Sequence, residues 1–262
     1  MKLVLPPRLI AVFFVAPILA ASGCRTAGLT ATEKTDLPRK ADITTAAAAK
    51  PEPSPKTAQA PVAPREVFPG ITLDLENRHI DVDATVVGRE VEWLELLACR
   101  PNTREYEAIV SVDGEAASIG VALSLLGLEA GQPARTEKNA EGQRLFFAPH
   151  GPLLELFFVL DDQPDAPIPA NEWVVDQETG ATMAGNTWLF TGSTVIEFQG
   201  NAFFMAEKNG TVVSLLNFGD ELVSRPTEKS EAGGTDLWTA NTEAIPPVGT
   251  RLKLRFRTAE AK

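Results

Sequence analysis

The chain has 262 residues, 24 of them basic and 35 acidic, a formal charge of −11, and a hydrophobic share of 44%. Nine basic and five acidic residues precede Val67, so the remainder carries 15 basic against 30 acidic side chains. That balance excludes nucleic acid as a partner, because phosphate neutralisation supplies most of that affinity, and it argues against flat docking on anionic lipid. Two histidines, His79 and His150, and two cysteines, Cys24 and Cys99, are too few for a thiolate or multi-histidine metal centre. No cofactor is expected, and any metal would have to be a hard cation held by carboxylates and carbonyls.

The amino terminus is predicted to be an export signal. Lys2 and Arg8 flank the start of LIAVFFVAPILA, an apolar run too short for a permanent membrane span. It runs into ASGC, where small residues before Cys24 suit a lipoprotein signal peptidase, so residues 1–23 are predicted to be a lipoprotein signal peptide. The Cys24 thiol would carry the diacylglycerol (with palmitate among its acyl groups) that holds the protein on a membrane of the cell envelope, facing the periplasm or exterior. Arg25 rather than Asp after the cysteine would favour release to the outer membrane in a Gram-negative host. Residues 24–66 are rich in Ala, Pro, Thr and Lys and bury too little apolar surface to fold, so they are expected to be a disordered tether. Its prolines favour extended chain.

Residues 67–262 form one globular domain. ITLDLE and IDVDATVV alternate apolar and polar residues around Asn77-Arg78, predicting a hairpin with one buried face. VEWLELLAC, as a strand, puts Val91, Trp93, Glu95, Leu97 and Cys99 on one face. YEAIVSV is a further strand. EAASIGVALSLLGL then places Ile119, Ala122, Leu123 and Leu126 at helical spacing, with Gly127 as the stop, and predicts an amphipathic helix. RLFFA and LLELFFVL are strands on either side of His150-Gly151-Pro152. WLFTGS, AFFMAE and TVVSLLNF follow, with Asn209-Gly210 read as a hairpin turn between the last two. TRLKLRFR closes the chain as a strand with a basic face, expected to be paired with acids or solvated. The fold class expected from these elements is α+β: a predominantly antiparallel β domain with one main amphipathic helix.

Possible chemistry centres on ELLACRPNTREYEAI. A carboxylate at Glu95 among apolar neighbours would be a general acid or base near neutral pH; the alternatives are that Glu95 pairs with Arg100 or Arg104 at a strand end, or that the segment is helical and Glu95 faces water with Glu92. Cys99 has no disulfide partner if Cys24 is acylated, and a lone cysteine is ordinarily a small core hydrophobe, although a nearby positive field could make it reactive. Ser193 in TGSTV lacks the context of a nucleophile elbow. Asp161, Asp162 and Asp165 lack the spacing of a calcium loop. Trp173, Trp188, Phe190, Phe203 and Phe204 are expected in the core.

TREYEAIVSVDGEAASIGVALSLLGLEAGQP, NEWVVDQETG, TWLFTGS, GTVVSLLNFGDELV and IPPVGT, in that order, resemble the YdjY-domain proteins, an exported bacterial family frequent in planctomycetes. The resemblance runs from about Ile71 to Phe256 and implies no established activity. Some relatives carry ferredoxin-like iron–sulfur segments, whose cysteines are missing here. Where the family commonly reads Lys-x-His-Glu, this chain keeps Arg104 and Glu107 but has Tyr106 in place of the histidine. The function expected is that of a membrane-anchored envelope lipoprotein acting as a non-catalytic binding or assembly module, with a protein of the envelope as its partner. The alternative is an envelope enzyme with a polar site of Glu95, Arg104 and Glu107 near Cys99.

Overall fold

The computed structural model describes residues 63–227 and 238–259. The predicted signal peptide, Cys24 and the tether up to residue 62 lie outside the described residues, whereas Arg65 and Glu66 already belong to the first strand.

Strands β1 (Arg65–Phe68), β2 (Ile71–Asp74) and β3 (His79–Val86) pair antiparallel in sequence order. The turn between β2 and β3 falls where Asn77-Arg78 predicts it. Asp74 accepts hydrogen bonds from the Asn77 backbone (2.9 Å) and side-chain amide (2.8 Å), and Arg78 takes a left-handed φ of 54°. After β4 (Leu96–Cys99), a 3-10 turn at Glu105–Glu107 leads into β5 (Ala108–Val112) and helix α1 (Ala116–Leu125). A hairpin of β6 (Arg135–Lys138) and β7 (Arg144–Phe147) precedes the long β8 (Leu153–Leu160). Next come β9 (Ile168–Pro169), β10 (Val174–Asp176), β11 (Trp188–Phe190) and the hairpin of β12 (Val195–Phe198) with β13 (Asn201–Phe204). A short helix α2 (Met205–Asn209) and strands β14 (Thr211–Ser214), β15 (Val223–Ser224), β16 (Trp238–Ala240) and β17 (Arg251–Thr258) complete the fold.

Eight strands close on themselves in the order β3-β17-β8-β11-β15-β14-β4-β5, with β5 returning to β3. One edge of β3 pairs with β17 along its length, while the other is shared, β2 taking residues 79–82 and β5 residues 84–86. The described residues therefore form a mostly β structure built on an eight-stranded barrel, with 41% strand, 12% helix and, among these residues, one helix of seven or more residues. This overturns the α+β expectation. The barrel interior is filled by side chains, as in other small barrels: Ile80, Val82, Ala84 and Val86 of β3 meet Leu252, Leu254 and Phe256 of β17 and Leu154, Leu156 and Phe158 of β8. Phe158 stacks on Trp173, ring centroids 3.8 Å apart, and Trp188 and Phe190 are buried in the same core, whereas Phe203 and Phe204 are half-buried at the end of β13.

The one long helix occupies the predicted place. Ala116, Ile119, Ala122 and Leu123 are buried, and Gly127 follows at φ 84°, its N–H bonded to the Ser124 carbonyl. It is not amphipathic: no charged residue lies between Ala116 and Leu125, and Val121 and Leu125 are about half exposed. Three other expectations also change. VEWLELLAC is a strand only over Leu96–Cys99, and Trp93 faces solvent. AFFMAE ends its strand at Phe204 and continues as α2. Asn209-Gly210 is the helix end, Gly210 at φ 79° in the left-handed position, and not a hairpin turn.

The basic face of β17 is matched by acids, as expected. Lys253 pairs with Asp83 (2.8 Å), Arg255 with Asp81 through two nitrogens (2.7 and 2.8 Å), Arg257 with Glu155 (2.7 Å) and Arg251 with Asp113 (2.7 Å). The register dictates this, because Lys253 lies opposite Asp83 and Arg255 opposite Asp81 on β3.

Candidate functional site

The wall made by β15, β14, β4 and β5 brings together three of the segments quoted above, TREYE, TGS and NFGDEL. Irregular register between β4 and β14 decides which β4 side chains face which way. Leu97 and Ala98 enter the main core, while Leu96 and Cys99 join Ala108 in a separate small cluster against which Phe218 packs.

Above that cluster stand the three charged candidates. The Arg104 guanidinium donates from Nη2 to Glu95 Oε2 at 2.8 Å and from Nε to Glu107 Oε1, and its carbon lies 4.1 Å from the centre of the Phe218 ring. Backbone bonds fix the same geometry: the Glu95 N–H donates to the Glu107 carbonyl (3.2 Å), and the Leu215 N–H to the Glu95 carbonyl (2.9 Å). Burial works against the Arg104 charge, but the hydrogen bond and charge of Glu107, with Glu95 behind it, raise its pKa above the ordinary value. The sequence thus places Glu95, Arg104 and Glu107 correctly in one cluster, and of the two arginines open as partners Arg104 takes Glu95. Arg100 turns elsewhere, donating to Glu207 (3.0 Å) and to the carbonyls of Val112, Asp113 and Gly114. Glu207 in turn accepts from the Ala116 N–H at the start of α1 (2.6 Å).

Cys99 is fully buried. Burial, reinforced by the negative charge of Glu105, pushes its thiol up to about 12. At that value almost no thiolate exists at neutral pH, and the thiol is inert. Beside it the register aligns Thr211 on β14 and Ser111 on β5, so these three side chains share one face across adjacent strands. The Ser111 and Thr211 hydroxyls are buried without a hydrogen-bond partner.

Sequence reasoning missed Glu221. It sits one residue before Leu222, whose N–H bonds to the Thr211 carbonyl (3.1 Å), and it is fully buried. Its Oε2 accepts from the N–H groups of Gly219 (2.7 Å) and Asp220 (3.0 Å), while Oε1 has no partner. Burial outweighs those hydrogen bonds and raises the carboxyl to about 7. In sequence, Glu221 follows the predicted strand TVVSLLNF with no motif around it, and nothing local signals this burial. Ser193 is structural: its hydroxyl donates to the Asp220 carbonyl and accepts from the Ala206 N–H (2.9 Å), with a left-handed φ of 62° at a turn. Asp161, Asp162 and Asp165 are exposed, and no group of three or more metal-ligating side chains able to hold an ion occurs among the described residues.

A broad cleft of about 1400 Å³ covers the outer faces of β2, β3, β17 and β8, with Asp74, His79, Asp81, Arg255 and Arg257 in its lining. Arg255 and Arg257 are committed to the ion pairs described above, and Arg78, also in the lining, donates from Nε to the Thr258 hydroxyl (3.1 Å). His79 Nε2 stands 3.9 Å from Asp74 and 3.8 Å from Asp81. Burial lowers its pKa below the ordinary value despite Asp81.

Tyr106, at the position where the family resemblance leads one to expect histidine, faces outward from the turn that holds Arg104 and Glu107, and it is 76% exposed. No helix among the described residues is long and apolar enough to cross a membrane. No curated protein and no solved structure matches the chain. A family model does match residues 71–257, that of the YdjY domain, and the chain belongs to that family.

Proposed function

We propose that this protein is an exported lipoprotein, anchored through Cys24 in the cell envelope, whose domain serves as a binding or assembly module and not as an enzyme. The observation that carries the reading is the state of the Glu95–Arg104–Glu107 cluster. Both carboxylates are bonded to one guanidinium, that guanidinium also covers a phenyl ring, and the adjacent thiol is buried and protonated. A general acid or base must reach a substrate proton, and an activated nucleophile needs a neighbouring base; the cluster offers neither. What it does supply is a rigid support for the turn that projects Tyr106. The anchor and tether are separate parts of the proposal and rest on the ASGC sequence and the Pro/Ala-rich segment after it.

The test is chemical crosslinking of the full-length protein in its own envelope, with identification of the adducts. The reading requires discrete protein adducts from the membrane fraction, and Cys24→Ala must shift the protein out of that fraction. Absence of any adduct beyond those of an unrelated lipoprotein carrying the same anchor would overturn the module; retention of Cys24→Ala in the membrane would overturn the lipid anchor.

A further inference from the structure

The outer side of the turn at Glu105–Glu107 carries features that the fold itself does not use. Trp93 is 67% exposed, Tyr106 76% and Val248 62%. Between them lie two shallow concavities of about 460 Å³ each, which share Glu90, Val91 and Tyr106 as a common wall. Trp93 borders one; Pro247 and Val248 border the other. The floor is firm. A Cβ on Gly88 would lie 2.2 Å from the Ala108 carbonyl oxygen and 2.5 Å from a Val91 methyl, so the chain here is pressed directly onto β5. Arg89 fixes the far wall by donating from Nε to the Ile245 carbonyl (2.9 Å).

Large aromatic side chains left in water over a concave surface are what a protein interface buries at its centre. The charges around this groove say what sort of partner fits. Glu90, Glu92, Glu105 and Glu107 all line it. Glu107 is neutralised by Arg104 and Glu105 receives the Asn102 N–H (3.2 Å), whereas Glu90 and Glu92 are exposed and make no ion pair or hydrogen bond among the described residues. The one cation among the described residues of the lining, Arg89, is held by the Ile245 carbonyl. Acids beside the faces of Trp93 and Tyr106 attract cations twice over, by charge and through the aromatic quadrupole. Lys and Arg also carry an apolar stem that can lie along Val91 and Val248. An anionic lipid surface or a nucleic acid would be repelled by the same carboxylates.

We propose that this groove docks a basic, extended peptide segment of a protein partner, its Lys or Arg side chains lying over Trp93 and Tyr106 with their charges at Glu90 and Glu92. The inference rests on the binding-module reading and adds the surface and the partner's chemistry. The probe is a short fluorescein-labelled peptide of alternating lysine and leucine, titrated against the full-length protein in detergent and followed by anisotropy and tryptophan emission. Trp173, Trp188 and Trp238 are buried, so a blue shift on binding reports Trp93 and should vanish in Trp93→Phe. Trp93→Ser with Tyr106→Ser is expected to weaken binding about tenfold, the order of two aromatic–cation contacts, and Glu90→Gln with Glu92→Gln should weaken it and reduce its salt dependence. Glu76→Gln with Asp165→Asn, on exposed loops beside the cleft at the Arg257–Thr258 end of β17, should leave it unchanged. The proposal is overturned if the lysine peptide does not bind, if the loop variant weakens it equally, or if a glutamate–leucine peptide binds as well. It also falls if envelope adducts survive the Trp93/Tyr106 exchange intact, an outcome that leaves the binding module standing, whereas loss of all adducts in the unaltered protein defeats the module itself.

Discussion

Glu221→Gln isolates the buried carboxyl, and its effect on stability has a definite sign. The group titrates at about 7 in the folded protein against 4.5 as its ordinary value, mainly because it is buried. Below pH 4.5 it is protonated in both states and costs nothing. As pH rises from 4.5 to 7 the unfolded chain ionises while the folded protein keeps its proton, so stability falls, and the loss is complete above 7. At about 1.4 kcal/mol for each tenfold change in proton affinity, the difference amounts to about 3 kcal/mol. Glutamine has the same shape, can accept from the Gly219 and Asp220 N–H groups, and cannot ionise. Thermal unfolding followed by circular dichroism should therefore show the variant and the parent close together near pH 4.5. At pH 8 the variant should be more stable, with a Tm higher by roughly 6–12 °C for a domain of this size. Asp74 does not interfere: its backbone hydrogen bonds, outweighing burial, hold its pKa below 3.8, so its contribution is lost only at lower pH. Melting temperatures that run parallel across this range, or a variant less stable at pH 8, would refute the assignment of a buried neutral acid.

The remaining predictions concern the neighbouring wall and its supports. Arg104→Ala strands the buried Glu107 carboxylate and uncovers Phe218, which should lower stability by about 2–3 kcal/mol after allowance for partial exposure; chemical denaturation measures this, and a loss within 0.5 kcal/mol would contradict it, roughly the ordinary surface range. Cys99, with its thiol pushed up to about 12, should resist a thiol reagent in the native protein at pH 8 and react fully in denaturant, as mass spectrometry would show. Gly210→Ala places a Cβ 2.0 Å from Thr103 Oγ1 at a φ of 79°, and should destabilise by more than about 1 kcal/mol, with a lower denaturation midpoint as the readout.

What the sequence disclosed follows from how each segment is buried. β3 and β17 have one face in the core and one bearing charge, so their alternation is visible and their acid–base matching can be anticipated. β4 and β5 are buried on both faces, which removes alternation, and the reading of VEWLELLAC extended a short strand across a loop. AFFMAE reads as strand through Glu207, although Met205–Asn209 is helical, because Asn-Gly serves equally as a hairpin turn and as a helix terminus; only the three-dimensional context of α2 distinguishes them. Barrel closure was hidden for a different reason. It depends on parallel pairs, β4 with β5 and β14 with β15, whose partners no local pattern identifies. Of the site, the Glu95–Arg104–Glu107 cluster was legible from charge and spacing. The exposure of Trp93 and Tyr106 and the burial of Glu221 were not, since both depend on which segments cover which faces.

The closure of the barrel has a consequence for how the chain acquires its structure. β3 occupies residues 79–86 and its full-length partner β17 residues 251–258, so one of the two longest pairings among the described residues joins segments from opposite ends of the domain. β8 likewise waits for β17 along its whole length. Such non-local pairing folds slowly, because loop closure must precede the contacts that reward it. Until Arg251–Thr258 has been synthesised, β3 and β8 both lack their central neighbour, and the barrel cannot close. The last strand is thus the step that commits the chain to its fold, and truncation before residue 251 removes the ability to fold rather than trimming an edge.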